Sequence, residues 1–250
     1  MMDIDRKFDI INASGVFFHL EELHSVTEGI KLGLKDEGIF VVQFLYMKNI
    51  MENNAFDQIY HEHLLYYSLK TLTQLLSKYD LEIFDAELTS VHGGQMIAYV
   101  SHTNKRKKTS RLTKLEVAEE ISQCNNINTY LDFNLRIKNL KIENIQFLEE
   151  AKNKNKRVFG MGAPVKGNTL LNYFDIGTNL IECLLEKNKL RKGLYSPGKH
   201  IPILMEDEKK DLPAIYYVLA WNFKDEILKN NKHLVEKGIE FYFPINPKEV

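Results

Sequence analysis

Tyr60, His61, Glu62 and His63 stand side by side in "FDQIYHEHLLYYS" (56–68), an otherwise apolar and aromatic run. Three titratable groups and a phenol in four positions suit either metal ligation or proton transfer. Metal binding on a helix wants His-Glu-x-x-His, which puts both imidazoles on one face. Here the histidines are two apart, so a helix would point them in different directions. An extended loop would put them on one side, but the local sequence offers no third ligand, and no metal site is expected. A histidine titrates near neutrality and can take a proton and hold it. Glu62 can orient such an imidazole or stabilise its charged form, and the Tyr60 phenol can donate to a developing oxyanion. The group suits proton abstraction beside a carbonyl. The bland alternative is a satisfied core histidine. The stretch follows the carboxyl end of an apolar strand, however, and open α/β sheets place their ligands there.

The second candidate is the turn "GMGAPVKGNT" (160–169). A dinucleotide fingerprint wants Gly-x-Gly-x-x-Gly, but Val165 stands at the third position. A P-loop wants Gly-x-x-x-x-Gly-Lys-Ser/Thr; Gly162, Gly167 and Thr169 fit, whereas Asn168 replaces the lysine and Lys166 precedes the glycine. Glycines after a strand still let the backbone approach an anion at a helix N-terminus, and Lys166 adds charge. Glu186, ending the next strand, sits where a ribose-binding acid is expected. The preferred reading is a nucleotide-diphosphate site, the alternative a tight structural turn. "YSPGKHIPI" (195–203), with His200, is a loop over a ligand or a plain Pro/Gly connection. His19 is a weaker candidate, also open to a structural reading.

The elements that must position these residues are legible as alternating periodicities. "FDIINAS" (8–14) reads as a strand, "LEELHSVTEGIKLGL" (20–34) as a helix, "DEG" (36–38) as a turn and "IFVVQFLY" (39–46) as a buried strand. "LKTLTQLLSKYD" (69–80) reads as a helix, followed by strands 81–88 and 94–101 joined by "TSVHGG". Residues 103–156 contain no Gly or Pro, and their spaced leucines, isoleucines and valine predict one long or two shorter helices. A second alternating unit follows: "KRVFG" strand, glycine turn and helix, then strands "IECLLEKN" and "AIYYVLAW", helix "NFKDEILKNNKHLVEKG" with Asn222 and Asp225 as its cap, and strand "IEFYFPI". Alternation of this kind implies a parallel sheet covered by helices.

The bulk numbers narrow the class. The 250 residues, 44% hydrophobic and 27% charged, suit one large or two modest domains. A net charge of −1 argues against a nucleic-acid binder. No stretch approaches the roughly 20 apolar residues of a membrane span, and the acidic start is unlike a signal peptide. Cys124 and Cys183 lack paired spacing, which excludes a disulfide framework or a cysteine zinc site. A cytoplasmic location is expected.

"YHEHLLYYS", "HGGQMIAYV", "GMGAPVKGNTLLNYF", "SPGKHIPI" and "WNFKDEI" occur in an order that resembles the S-adenosylmethionine-dependent C-methyltransferases of nucleotide-linked deoxysugars. The resemblance covers nearly the whole chain. It implies an α/β fold: a partial class I methyltransferase sheet (1–102), a helical linker (103–154) and a C-terminal Rossmann-like parallel-sheet domain (155–250). It implies methylation of C3 of a thymidine-diphosphate 4-keto sugar, with His63 as base and Tyr60 and Glu62 positioning it and the sugar. Gly162, Lys166, Gly167, Asn168 and Thr169, with Glu186 and His200, are the expected substrate-binding residues, and 14–19, with His19, would border the methyl donor. The sequence starts at what resembles the fourth strand of the sheet. The family's cysteine-rich zinc domain, its glycine-rich first turn and the acid after its second strand do not occur in it. A second polypeptide, or a homo-oligomer, is therefore expected to complete the sheet. The alternatives are a nucleotide-sugar binder without methyl transfer and, disfavoured by Val165, a nicotinamide-dependent oxidoreductase.

Overall fold

A computed structural model describes residues 6–89 and 94–247. The chain divides into two compact units, Met1–Glu52 with His61–Leu131 and Asn53–Tyr60 with Asp132–Val250. Both are α/β, as the alternating pattern implied.

In the first unit β1 (Phe8–Ser14) leads through a short 3-10 turn at Phe17–His19 and helix α1 (Leu23–Gly33) to β2 (Leu34–Leu45). Helices α2 (Met47–Glu52) and α3 (Leu69–Ser77) precede the pair β3 (Leu81–Thr89) and β4 (Gln95–His102). The sheet order is β1-β2-β4-β3. β1 and β2 run parallel, while β4 is antiparallel to both of its neighbours, so this sheet is mixed. Phe40, Val42 and Phe44 alternate along β2 with no exposure and form its packed face. The expected turn at 36–38 is instead a bulge within β2: Phe8 pairs with Leu34 but Ile10 with Ile39. Most of the "TSVHGG" connection, 90–93, lies outside the described residues.

Helix α3 starts at a reciprocal cap. The Ser68 hydroxyl accepts from Thr71 N–H, and the Ser68 N–H donates to Thr71 Oγ1 at 2.9 Å. Its Leu69, Leu72, Leu75 and Leu76 form the buried stripe. The Gly-free region 103–156 forms two helices, α4 (Ser110–Ser122) and α5 (Ile127–Asn153). The break falls at Gln123, whose φ of 55° ends α4 in the left-handed region. α4 falls in the first unit and most of α5 in the second.

In the second unit β5 (Val158–Met161), α6 (Val165–Phe174), β6 (Leu184–Glu186), β7 (Ile203–Met205), β8 (Ile215–Val218) and β9 (Glu240–Tyr242) build a sheet of order β7-β6-β5-β8-β9. Every pair in it is parallel. All four residues of β8 are buried, which explains its unbroken apolar sequence. The 195–203 segment, read as a loop, runs into the edge strand β7 at Ile203. The helix expected over 222–238 is two short ones, α7 (Lys224–Asn230) and α8 (Lys232–Val235). The expected Asn222 and Asp225 cap does not form: Phe223 is the N-cap and makes no side-chain capping bond. Among the described residues no helix is long and apolar enough to cross a membrane.

Candidate functional site

In the first unit the histidine stretch is clipped to the segment beyond the carboxyl end of β1. The N–H groups of Leu64 and Leu65 donate to the Phe18 carbonyl at 3.0 and 3.2 Å. His63 is half-buried; its ring meets Phe18 edge-on at 4.9 Å and lies 5.2 Å from the His19 ring. His19 Nδ1 lies 2.5 Å from the Glu62 carbonyl oxygen. A carbonyl can only accept, so Nδ1 of His19 carries the proton and Nε2 is the ring's remaining face. His19 and His63, 44 positions apart, are thus brought together, and Glu62 holds His19 through its backbone while its side chain is exposed. Tyr60 is half-buried and closes the 53–60 segment of the second unit.

A polar chain unnoticed in the sequence runs across this end of the sheet. Ser14 Oγ donates to Gln43, whose Nε2 donates to Gln95 Oε1 at 2.7 Å. Gln95 is 2% exposed. Before it, Gly94 has φ of 114°, and a Cβ there would lie 2.5 Å from Asn49 Nδ2, so no other residue fits without displacing that side chain.

In the second unit the glycine turn lies at the carboxyl end of β5. Gly162 has φ of 81°, and a Cβ on Gly167 would lie 3.1 Å from Leu219 Cβ, so Gly167 is needed for close helix–strand packing. α6 starts without a side-chain cap, leaving N–H groups of its first turn available. Asn168 and Thr169 are half-buried in that turn. Glu186 is committed within the protein. Its Oε2 accepts from Ala163 N–H at 3.2 Å and Arg191 at 2.8 Å, and its Oε1 from the N–H groups of Lys187 and Asn188. Burial raises its pKa, but these donors outweigh that and leave the carboxyl below its ordinary value. Arg191, absent from the sequence reading, also donates to the Ala163 carbonyl, so Glu186 and Arg191 together shape the turn. His200 is exposed with φ of 53°. Its loop is held on α6, where Asn172 donates to the Pro197 and Asn168 carbonyls at 2.9 and 2.8 Å.

Lys166 differs from the exposed cation expected beside a phosphate. Its Nζ is buried without a hydrogen-bond partner among the described residues, and burial pulls its pKa down against the nearby charge of Asp57. Asp57 has no exposure; Trp221 Nε1 donates to its Oδ2 at 2.8 Å, while its Oδ1 has no partner among the described residues. Burial raises the Asp57 pKa, with Lys166 and the indole pulling the other way. Asp57 lay in the stretch read for its histidines, and Trp221 is the only tryptophan of the chain. Nothing local marks them as partners, because 164 positions separate them.

A family model described as the C-methyltransferase C-terminal domain matches residues 90–246. The C-methyltransferase NovU of Streptomyces niveus is 31% identical over 231 residues, 92% of this chain and 55% of that protein. The chain thus spans about half the length of the curated relative it matches. Solved structures overlap it in part. The complex of LepI with SAM superposes on 39% of this chain and 27% of that one, with a TM-score of 0.34 and 8% identity. The CcbJ methyltransferase of Streptomyces caelestis covers 40% of this chain and 62% of that one, with a TM-score of 0.32 and 11% identity.

Proposed function

Because the chain belongs to the C-methyltransferase C-terminal domain family, we propose that it carries the base and the sugar-nucleotide half of a C-methyltransferase acting on a nucleotide-linked 4-keto sugar. In this reading residues 1–102 are the second half of a methyltransferase domain, 103–154 its linker and 155–250 the sugar-nucleotide domain. The observation that carries it is the pairing of His63 with His19 beyond the carboxyl end of β1. An imidazole is held there against Phe18, with a second imidazole whose tautomer is set by a backbone carbonyl.

The chemistry follows from these groups. A proton on the carbon beside a ketone is acidic because the carbonyl oxygen takes up the charge as an enolate. His63 removes the C3 proton, Tyr60 donates to the oxygen at C4, and Glu62 steadies the cation formed on the imidazole. The diphosphate lies against the first turn of α6, where Gly162 and Gly167 keep the backbone close. Asn168 and Thr169 supply polar side chains, and the 195–202 loop with His200 covers the ligand.

S-adenosylmethionine is the methyl donor in this reading; when bound it supplies an electrophilic methyl carbon. The residues here that fit it are Ser14, Gly15 and His19. Gly15 has φ of 66° and open space around its Cα, so the backbone leaves room for a ligand at the end of β1. They make one wall, and a partner chain, a second copy or a further segment of the same protein completes it.

The test is base catalysis without the methyl donor. In D2O the chain exchanges the C3 proton of a thymidine-diphosphate 4-keto-6-deoxy sugar, followed by proton NMR. His63→Ala lowers the exchange rate by about 10²–10⁴-fold and leaves thymidine-diphosphate binding by calorimetry intact. Wild-type chain that binds the nucleotide without exchange would leave only a nucleotide-sugar binder.

A further inference from the structure

The order β7-β6-β5-β8-β9 has its switch point between β5 and β8: the chain builds outward from β5 to β7, then returns to place β8 on the other side. Ligands of open parallel sheets bind outside the carboxyl ends of the strands at such a point. Here that crevice receives a segment of the chain itself. Ala55, Phe56, Asp57 and Gln58 are buried. Phe56 packs at 5.2 Å on both Tyr173 and Phe174 of α6. Asn54 accepts from Arg136 at 2.9 Å and donates to Asn246 at 2.8 Å. Asp57 meets Trp221, just past β8, and the charge of Lys166, in the turn after β5.

Phe56 supplies the apolar packing of the segment, so an acid and a lysine in the same crevice call for a further reason. Burying ionisable groups costs stability, and in some proteins such groups are retained because they specify one arrangement. A hydrogen bond to a fully buried carboxyl group fixes direction and register, which an apolar contact does not. Three residues after Asp57 comes Tyr60, the last residue of this segment.

We propose that Asp57, Trp221 and Lys166 form a latch that sets the register of the 53–60 segment within the second unit, and that they are positioning residues for Tyr60 at its end. The proposal rests on the reading of Tyr60 above, but its test does not need turnover. In full-length chain, Asp57→Ala shifts the emission maximum of Trp221, displaces the Tyr60 ring resonances in NMR, and speeds amide hydrogen exchange over 54–60 by about tenfold. Asp57→Asn keeps an acceptor for the indole and restores the wild-type values of all three. Trp221→Phe removes the donor and reproduces the exchange and Tyr60 changes, which covers the case in which Asp57→Ala does not fold. Wild-type Tyr60 resonances and wild-type exchange over 54–60 in a folded Asp57→Ala or Trp221→Phe chain would overturn the latch. Failure of C3 exchange in wild-type chain would count against the function alone, because these measurements involve no substrate.

Discussion

Asp57 carries a pH dependence whose sign can be worked out. Burial raises its folded-state pKa above the unfolded value of 3.8, so the folded chain holds a proton that the unfolded chain has released. Stability therefore falls as pH rises from 3.8 through the raised value. Asp57→Asn removes this titration and keeps the indole acceptor. The expected outcome is that the variant gains melting temperature relative to wild type as pH rises above 3.8, measured in matched buffers by circular dichroism. A difference that stays flat with pH would mean that the carboxyl titrates normally. Lys166 is shifted by the same burial in the opposite ionic sense. The histidine pattern and glycine turn were visible in the sequence because each is local. Asp57 was not, because its meaning depends on an indole 164 positions away.

At the scale of elements, capping and break chemistry decided the boundaries. Ser68 and Thr71 close the N-terminus of α3, and the Ser68 hydroxyl also donates to Asn125 at 2.7 Å. Ser68→Ala is expected to cost about 1 kcal/mol and to lower the melting temperature by about 2–4 °C, read by thermal denaturation. Strong apolar periodicity made α1, α3, β2 and β8 legible in the sequence. The 103–156 region left one helix or two open, because no Gly or Pro marked the break. Gln123 makes it instead by adopting a left-handed conformation. The bulge at 36–38 read as a turn for a related reason: "DEG" has turn chemistry, and it is the pairing of Leu34 and Ile39 with β1 on either side that keeps it within the strand.

At the scale of the whole molecule the edge of β1 matters most. Among the described strands β1 pairs only with β2, and Ile10 is 67% exposed on it. An apolar edge strand is a template for pairing with another strand. The chain on its own is therefore expected to associate with increasing concentration, and Ile10→Lys to reduce that association, measured by sedimentation velocity. The substitution removes an exposed apolar side chain and leaves the half-buried Phe8, Ile11 and Ala13 untouched, so the melting temperature at low concentration is expected to hold.

The sequence by itself determined the α/β class, most of the elements and the two stretches with chemistry, since periodicity, turn residues and adjacent titratable groups are properties of neighbours in the chain. It also carried the family likeness, in motifs whose order can be read directly. Tertiary structure decided the rest. The first sheet became mixed when β4 entered it antiparallel between β2 and β3. His19 met His63, Glu186 turned inward to Arg191 and three backbone amides, and Lys166 lost its solvent to face Asp57. Each of these depends on burial and on partners far apart in the chain. A buried charge or a shared hydrogen bond exists only once the chain has closed around it.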